Sequence, residues 1–188
     1  MPKTTRTANR NRLLDAALKV TYRRGFAQAA LADIAKQARV PLGNVYYYFK
    51  TKNQIAEAII EKRLSRLRAL LQELDKALSP QERLCGFVQL KIENREELAR
   101  TGCPVGTLLS ELHKLGNPVA KRSTRLFGEA LSWMEAQFQA LGKGPDSRGL
   151  AVHLLSATQG VSLLAHAFHD ATLITAEAER LQSWIRSL

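Results

Sequence analysis

"LADIAKQARVPLGNVYYYFKTK", residues 31–52, joins two short helix-length segments through Arg39-Val40-Pro41 and gathers three of the chain's four tyrosines. Leu31, Ile34, Ala35 and Ala38 recur at the spacing of one helix face, so 31–38 reads as a helix buried along that face. Pro41 cannot continue it and favours a fresh start, which places a second helix over 42–48. Helix, tight turn and helix make a helix-turn-helix pattern. At 100° per residue Val45 and Phe49 share one side, directed at Ile34 and Leu18, with Tyr46 at its edge. Gly43, Asn44, Tyr47 and Tyr48 share the other side, and Leu42 lies between the two. Two tyrosines and an asparagine facing water have little purpose in a lone domain. They suit contact with base edges and phosphates.

The residues that follow extend this reading. A long helix begins at Lys52 and runs to about 78, with Thr51 and Gln54 at capping-box spacing. A cation in a helix's first turn opposes the macrodipole. It becomes favourable where an anion meets both the ammonium and the free backbone N–H groups. Lys50 and Lys52 therefore read as a clamp on a phosphate backbone, the alternative being two solvated lysines. Upstream, 11–23 reads as a helix with Leu14, Ala17, Leu18 and Thr21/Tyr22 inward and Gly25 at its end, and residues 1–10 read as a mobile basic arm.

The charge is lopsided. Of a net +11, residues 1–68 carry all of it, with 15 Lys/Arg against 4 Asp/Glu, while residues 69–188 hold 13 of each sign. That distribution points to a polyanion-binding head on a neutral body, against the alternative of a basic surface kept for solubility. At 188 residues and 45% hydrophobic content the chain is long enough for a small head and a larger body. The expected division is a DNA-binding head over 1–50 and a helical body over 51–188. No uninterrupted apolar run reaches the roughly 18 to 20 residues of a membrane span. The N-terminus carries no apolar segment of a secretory signal, and two cysteines make no disulfide framework, so a reducing cytoplasm is the expected compartment.

Good helix formers dominate the rest, and no stretch alternates as a strand does, so the fold class is all-α. Ser79-Pro80-Gln81-Glu82 opens a helix to about Arg100, Cys103-Pro104 one to about Leu112, and Asn117-Pro118 one to about Leu141. After the turn at 142–146, residues 147–169 are apolar almost all round and must be covered on most sides. The last helix, 175–187, has an apolar stripe at Leu181, Trp184, Ile185 and Leu188. These two helices are the expected self-association face, with Gly160 either permitting close backbone approach or merely tolerated.

The stretch 31–60 resembles the DNA-binding segment of the TetR family of bacterial transcriptional regulators. The shared pattern is a D-I-A helix, a V-P-x-G turn and then Y-Y-x-F-x-x-K, within residues 10–60. The resemblance implies that Leu42, Gly43, Asn44, Tyr47 and Tyr48 face bases or nearby backbone, and that Tyr46 and Lys52 meet phosphates. It implies an arm with Lys3, Arg6 and Arg10 reaching an adjacent groove or phosphate. It also implies a homodimer on a palindromic double-stranded operator, repression, and release by a small-molecule inducer bound in the body. Two departures stand out: Ala29 and Ala30 replace the usual Thr or Ser before the second helix, and Arg39 replaces the usual turn glycine.

In the body Cys103, at a helix start, is either a reactive thiol or a small buried residue. Phe87, Phe127 and Trp133 either line a ligand pocket or form plain core. The four histidines have no cysteine or carboxylate cluster beside them, so neither a metal nor another cofactor is expected. No phosphate loop, nucleophile elbow or metal motif supports an enzyme. The rival to a regulator is a non-specific architectural DNA binder.

Overall fold

The computed structural model describes residues 3–77 and 79–188, with side chains from residue 8 onward. Its elements are α1 (Lys3–Arg24), α2 (Leu31–Ala38), α3 (Leu42–Tyr48), α4 (Lys52–Leu74), α5 (Pro80–Glu93) and α6 (Arg95–Thr101). There follow α7 (Pro104–Lys114), α8 (Ala120–Ser123), α9 (Arg125–Ala140), a 3-10 turn at Gly144–Asp146, α10 (Ser147–Phe168) and α11 (Thr172–Arg186). The fold is all-α, with no strand among the described residues.

The chain divides into two compact units. One takes the chain up to Leu64 together with Thr107–Arg125; the other takes Ser65–Gly106 and Leu126–Leu188. The first unit thus reaches beyond residue 50 and recruits a distant segment. Asn117 donates to Asn53 at 2.9 Å, and Arg122 and Arg125 pair with Glu57 and Glu61 on α4. In this unit α1 packs on α2 and α2 on α3. Leu13, Ala17, Leu18, Ile34, Val45 and Phe49 are buried, as are Ile55, Ile59 and Ile60 at the helical spacing of α4. The basic arm expected over 1–10 is, from Lys3 onward, the first part of α1. No glycine or proline interrupts residues 3–24, so nothing in the sequence stops helix propagation before Gly25. Gly25 ends α1 with φ 81°, where an added Cβ would lie 2.7 Å from Glu111 Oε1.

In the second unit α11 packs on α5 and α10, and α10 packs on α6. Leu84, Val88, Met134, Phe138, Leu154 and Ile185 form the centre of its core. Ser79 and Glu82 make a reciprocal capping box at the start of α5. The helix expected to run to Arg100 breaks at Asn94, whose side-chain amide takes the Leu90 carbonyl at 2.7 Å and competes with the helical ladder. The helix expected from Asn117 to Leu141 is likewise interrupted after Ser123, where the Thr124 hydroxyl donates to Lys121 O. The fourth helix stops at Leu74 rather than about 78.

The self-association face expected on the last two helices is corrected in part. On α11 the stripe is occupied within the protomer: Leu181 and Ile185 are buried in the core, with Trp184 and Leu188 packed against it. The outer side of α11 is polar, with Glu179, Arg180, Ser183 and Arg186 exposed. On α10 the inward side is buried, while Val152, Leu163, Leu164 and Phe168 are exposed. By length and composition α10 would suffice to cross a membrane; in this fold its inner side packs on α6 and α11.

Candidate nucleic-acid interface

The turn between α2 and α3 is closed by backbone hydrogen bonds from Arg39 N–H to Lys36 O and from Val40 N–H to Ala35 O, each 3.1 Å. Arg39 itself is left-handed, at φ 55° and ψ 49°, the conformation that normally selects glycine at a helix end. The guanidinium of Arg12 donates to Ala38 O at 2.8 Å, so α1 holds the last turn of α2. At its other end α2 has Ala30 as N-cap with no side-chain cap, as the departure from the family pattern implies. Asp33 in the first turn pairs instead with Arg24 at 2.9 Å.

On α3 Val45 is fully buried, and Leu42, Gly43, Tyr46 and Tyr47 are exposed. Asn44 and Tyr48 lie at the margins, half-buried, with Tyr48 edge-on to Tyr47 at 4.9 Å between ring centroids. Against the angular expectation, Tyr46 belongs to the open face, and Asn44 and Tyr48 lie at its edge. The reason is that Phe49 has already left the helix, at φ −134° and ψ 103°, so the buried side is set by Val45 and an extended residue rather than by two helical ones. Gly43 is open on its outer side, and an added Cβ would meet nothing within 4 Å.

Lys52 does not stand free. Its Nζ donates to Ala27 O at 2.8 Å and lies 4.9 Å from the Phe26 ring centre. The neighbouring Ala27 N–H donates to Glu111 Oε2 at 2.8 Å, so a lysine from α4 and a glutamate from α7 grip one residue of the α1–α2 loop. Burial pulls the Lys52 ammonium below the ordinary lysine range, and the Glu111 carboxylate opposes that shift. Glu111 lies 84 residues from its partner, a separation that no local sequence pattern reports. Thr51 Oγ1 accepts from Gln54 N–H, while Gln54 Oε1 accepts from Lys50 N–H, so the cap at the start of α4 is shifted by one residue from the reciprocal box. Lys50 is exposed, as is Arg10, whose guanidinium lies 5.5 Å from the Phe49 ring centre. The side chains of Lys3 and Arg6 lie outside the described residues.

The body residues singled out in the sequence fall in two places. Phe87 is buried in the core, with Phe127 and Trp133 packed against it; the Phe87 and Trp133 rings are 6.1 Å apart, and Trp133 Nε1 donates to Asp75. Cys103 is half-exposed, and its Sγ accepts from Gly106 N–H at 3.4 Å, so the thiol caps α7. Among the described residues no three His, Cys, Asp or Glu side chains gather at metal-binding distance.

A buried three-helix core, a tight turn held from α1 and a short helix with an open tyrosine-bearing face define a helix-turn-helix protein. The family described as bacterial regulatory proteins, tetR family, matches residues 13–59, the span that builds this head. Transcriptional regulator AcuR of Cereibacter sphaeroides is 30% identical over 159 residues, covering 83% of this chain and 69% of that protein. HTH-type transcriptional repressor KstR2 of Mycolicibacterium smegmatis is 33% identical over 87 residues, 46% of this chain and 42% of the other. The crystal structure of regulatory protein TetR from Rhodobacter sphaeroides superposes with a TM-score of 0.80 at 25% identity, covering 92% of this chain and 96% of that one. The chain belongs to the tetR family of bacterial regulatory proteins and is a transcriptional regulator with a helix-turn-helix DNA-binding domain. Its relatives are transcriptional regulators rather than enzymes, and repressors are among them.

Proposed function

We propose that this regulator is a cytoplasmic, non-enzymatic repressor that binds a palindromic operator as a homodimer and releases it when a small molecule binds the body. The observation that carries the DNA reading is the open face of α3. Gly43 lies in this helix with no internal neighbour that requires a glycine. A glycine within a helix costs about 0.5–1 kcal/mol relative to alanine. A fold that keeps it without an internal reason supports close approach from outside, and the flanking Leu42, Tyr46 and Tyr47 suit base edges and sugar-phosphate. Arg39, Lys50 and Arg10 supply nearby cations, and Arg6 is assigned to the same role. Lys52 supports the reading through the loop it holds, and a phosphate would have to compete with Ala27 O for its ammonium. The dimer reading draws on the exposed apolar residues of α10, where Gly160 also opens to free space. Cys103, through the cap it makes on α7, and the Phe87–Trp133 region are the body residues assigned to ligand response.

The test is anisotropy with the chain's own promoter duplex against scrambled duplex at fixed salt. Specific binding should exceed random binding by about 10³-fold or more. Equal affinities would instead establish the architectural alternative. Gly43→Ala separates fold from function: it should raise stability by about 0.5–1 kcal/mol while weakening operator binding. Increased stability with unchanged affinity would remove α3 from the interface.

A further inference from the structure

We propose that the head carries a second anion site, a groove between α1 and α2 that takes a compact polyphosphate. The groove has a volume of about 470 Å³ and is lined by Lys19, Arg23 and Arg24 of α1, by Asp33 and Lys36 of α2, and by Arg39 of the turn. No residue of α3 lines it. Five of the fifteen cations in residues 1–68 therefore surround one concavity, whereas α3 holds none. The single carboxylate, Asp33, is already paired with Arg24.

The cations exceed what the fold needs. The groove takes residues from the C-terminal parts of both α1 and α2, and cations there offset the macrodipoles. Each helix end is worth about half a negative charge. Two ends and one carboxylate account for about two of the five positive charges, leaving a surplus of about three in a concave surface that concentrates the field. Lys19 and Arg23 are one turn apart on α1 and project together, while Lys36 and Arg39 face from the other wall. Arg23 and Arg39 offer planar forks that match phosphate oxygens, and the lysines offer point charges. The volume lies within the range of small-ligand sites, about 300–1,000 Å³. A linear di- or triphosphate, free or on a nucleoside, brings about three to four negative charges in that space.

The experiment is calorimetric titration of the full chain with inorganic tripolyphosphate at low salt. One saturable site per chain is expected. The double variants Lys19→Gln/Arg23→Gln and Lys36→Gln/Arg39→Gly should each weaken it at least about tenfold, since charge-assisted contacts are the strong ones. Lys50→Gln, which removes a head cation outside the groove, should leave the affinity within about twofold. Absence of saturable binding, or equal loss in Lys50→Gln, overturns the proposal. So does the outcome in which tripolyphosphate does not bind but Lys19→Gln/Arg23→Gln, which spares every cation assigned above to the operator, weakens random duplex; the groove would then belong to the DNA backbone. All substituted side chains are exposed, and a far-UV circular dichroism spectrum matching the parent's is the check that each variant folds. The outcome is independent of the operator reading: loss of sequence preference with tripolyphosphate binding intact would sink that reading alone.

Discussion

Arg39 shows how one residue can carry a conformational cost and a charge together. Its left-handed backbone is unfavourable for any residue with a Cβ by about 1 kcal/mol. Arg39→Gly should therefore raise stability by about 1 kcal/mol, a rise in melting temperature of about 2–4 °C for a chain of this size. Arg39→Ala keeps the Cβ and should show none of that gain, which separates backbone relief from loss of charge in a thermal melt. Asp170 is a second residue-scale case. Its Oδ1 accepts from the N–H and the hydroxyl of Thr172, at 2.8 and 2.6 Å, and those bonds hold its carboxyl below the usual aspartate range. A carboxyl depressed in the folded state binds fewer protons than in the unfolded state across that window. Its contribution is thus complete above about pH 4 and lost as pH falls through the lower, folded value. Denaturant titrations should show Asp170→Asn less stable than the parent at pH 7, with the two converging in strong acid.

At the scale of the element, what was legible in the sequence was what is local. The Ser79/Glu82 box stands as its spacing predicts, and the missing cap at Ala30 as the departure from the family pattern implies; each depends on residues within one turn. Ser79→Ala should cost about 1 kcal/mol, and Ala30→Ser, at an exposed position, should add about as much; urea midpoints at unchanged slope measure both. The pattern D-I-A, V-P-x-G and Y-Y-x-F was enough for α2, the turn and α3, because each residue type has one local reason to be there. What failed was competition between near-equal local states and pairing across distance. Asn94 and Thr124 are unexceptional in a helix, yet their side chains take carbonyls of the preceding turn and end α5 and α8 early. The stripe on α11 looked like a surface for a partner because periodicity marks which side is apolar, not what covers it; α5 covers it. The engagement of Lys52 was hidden for the same reason, since Ala27 and Glu111 approach it only in three dimensions. The basic groove escaped because its cations come from two helices and a turn, and the charge count gave their number without their placement.

For the whole molecule, the charge split and the open face of α10 combine into one quantitative expectation. A single seven-residue α3 reaches only a few base pairs, so the proposed repressor needs two copies on one operator for its specificity. The surface proposed for pairing is the outer side of α10, where Leu163 and Phe168 are 68% and 70% exposed and positions 164 and 167 between them are Leu and Ala. Exposed apolar residues of that size on one broad helix face are a liability for a lone protomer and an asset for a pair. Leu163→Glu/Phe168→Glu introduces carboxylates where two copies would meet while leaving the buried side of α10 untouched. Sedimentation should show a monomer with an unchanged circular dichroism spectrum. Because the logarithm of duplex affinity falls with the logarithm of salt in proportion to the phosphates neutralised, a monomer should show about half the slope of the dimer. Operator affinity should fall by far more than random-duplex affinity, since specific binding loses a half-site and non-specific binding loses only charge. A double variant that still sediments as a dimer would move the interface off α10. A monomer that keeps the parent slope would mean that one head supplies every phosphate contact, and pairing would then lose its role in recognition.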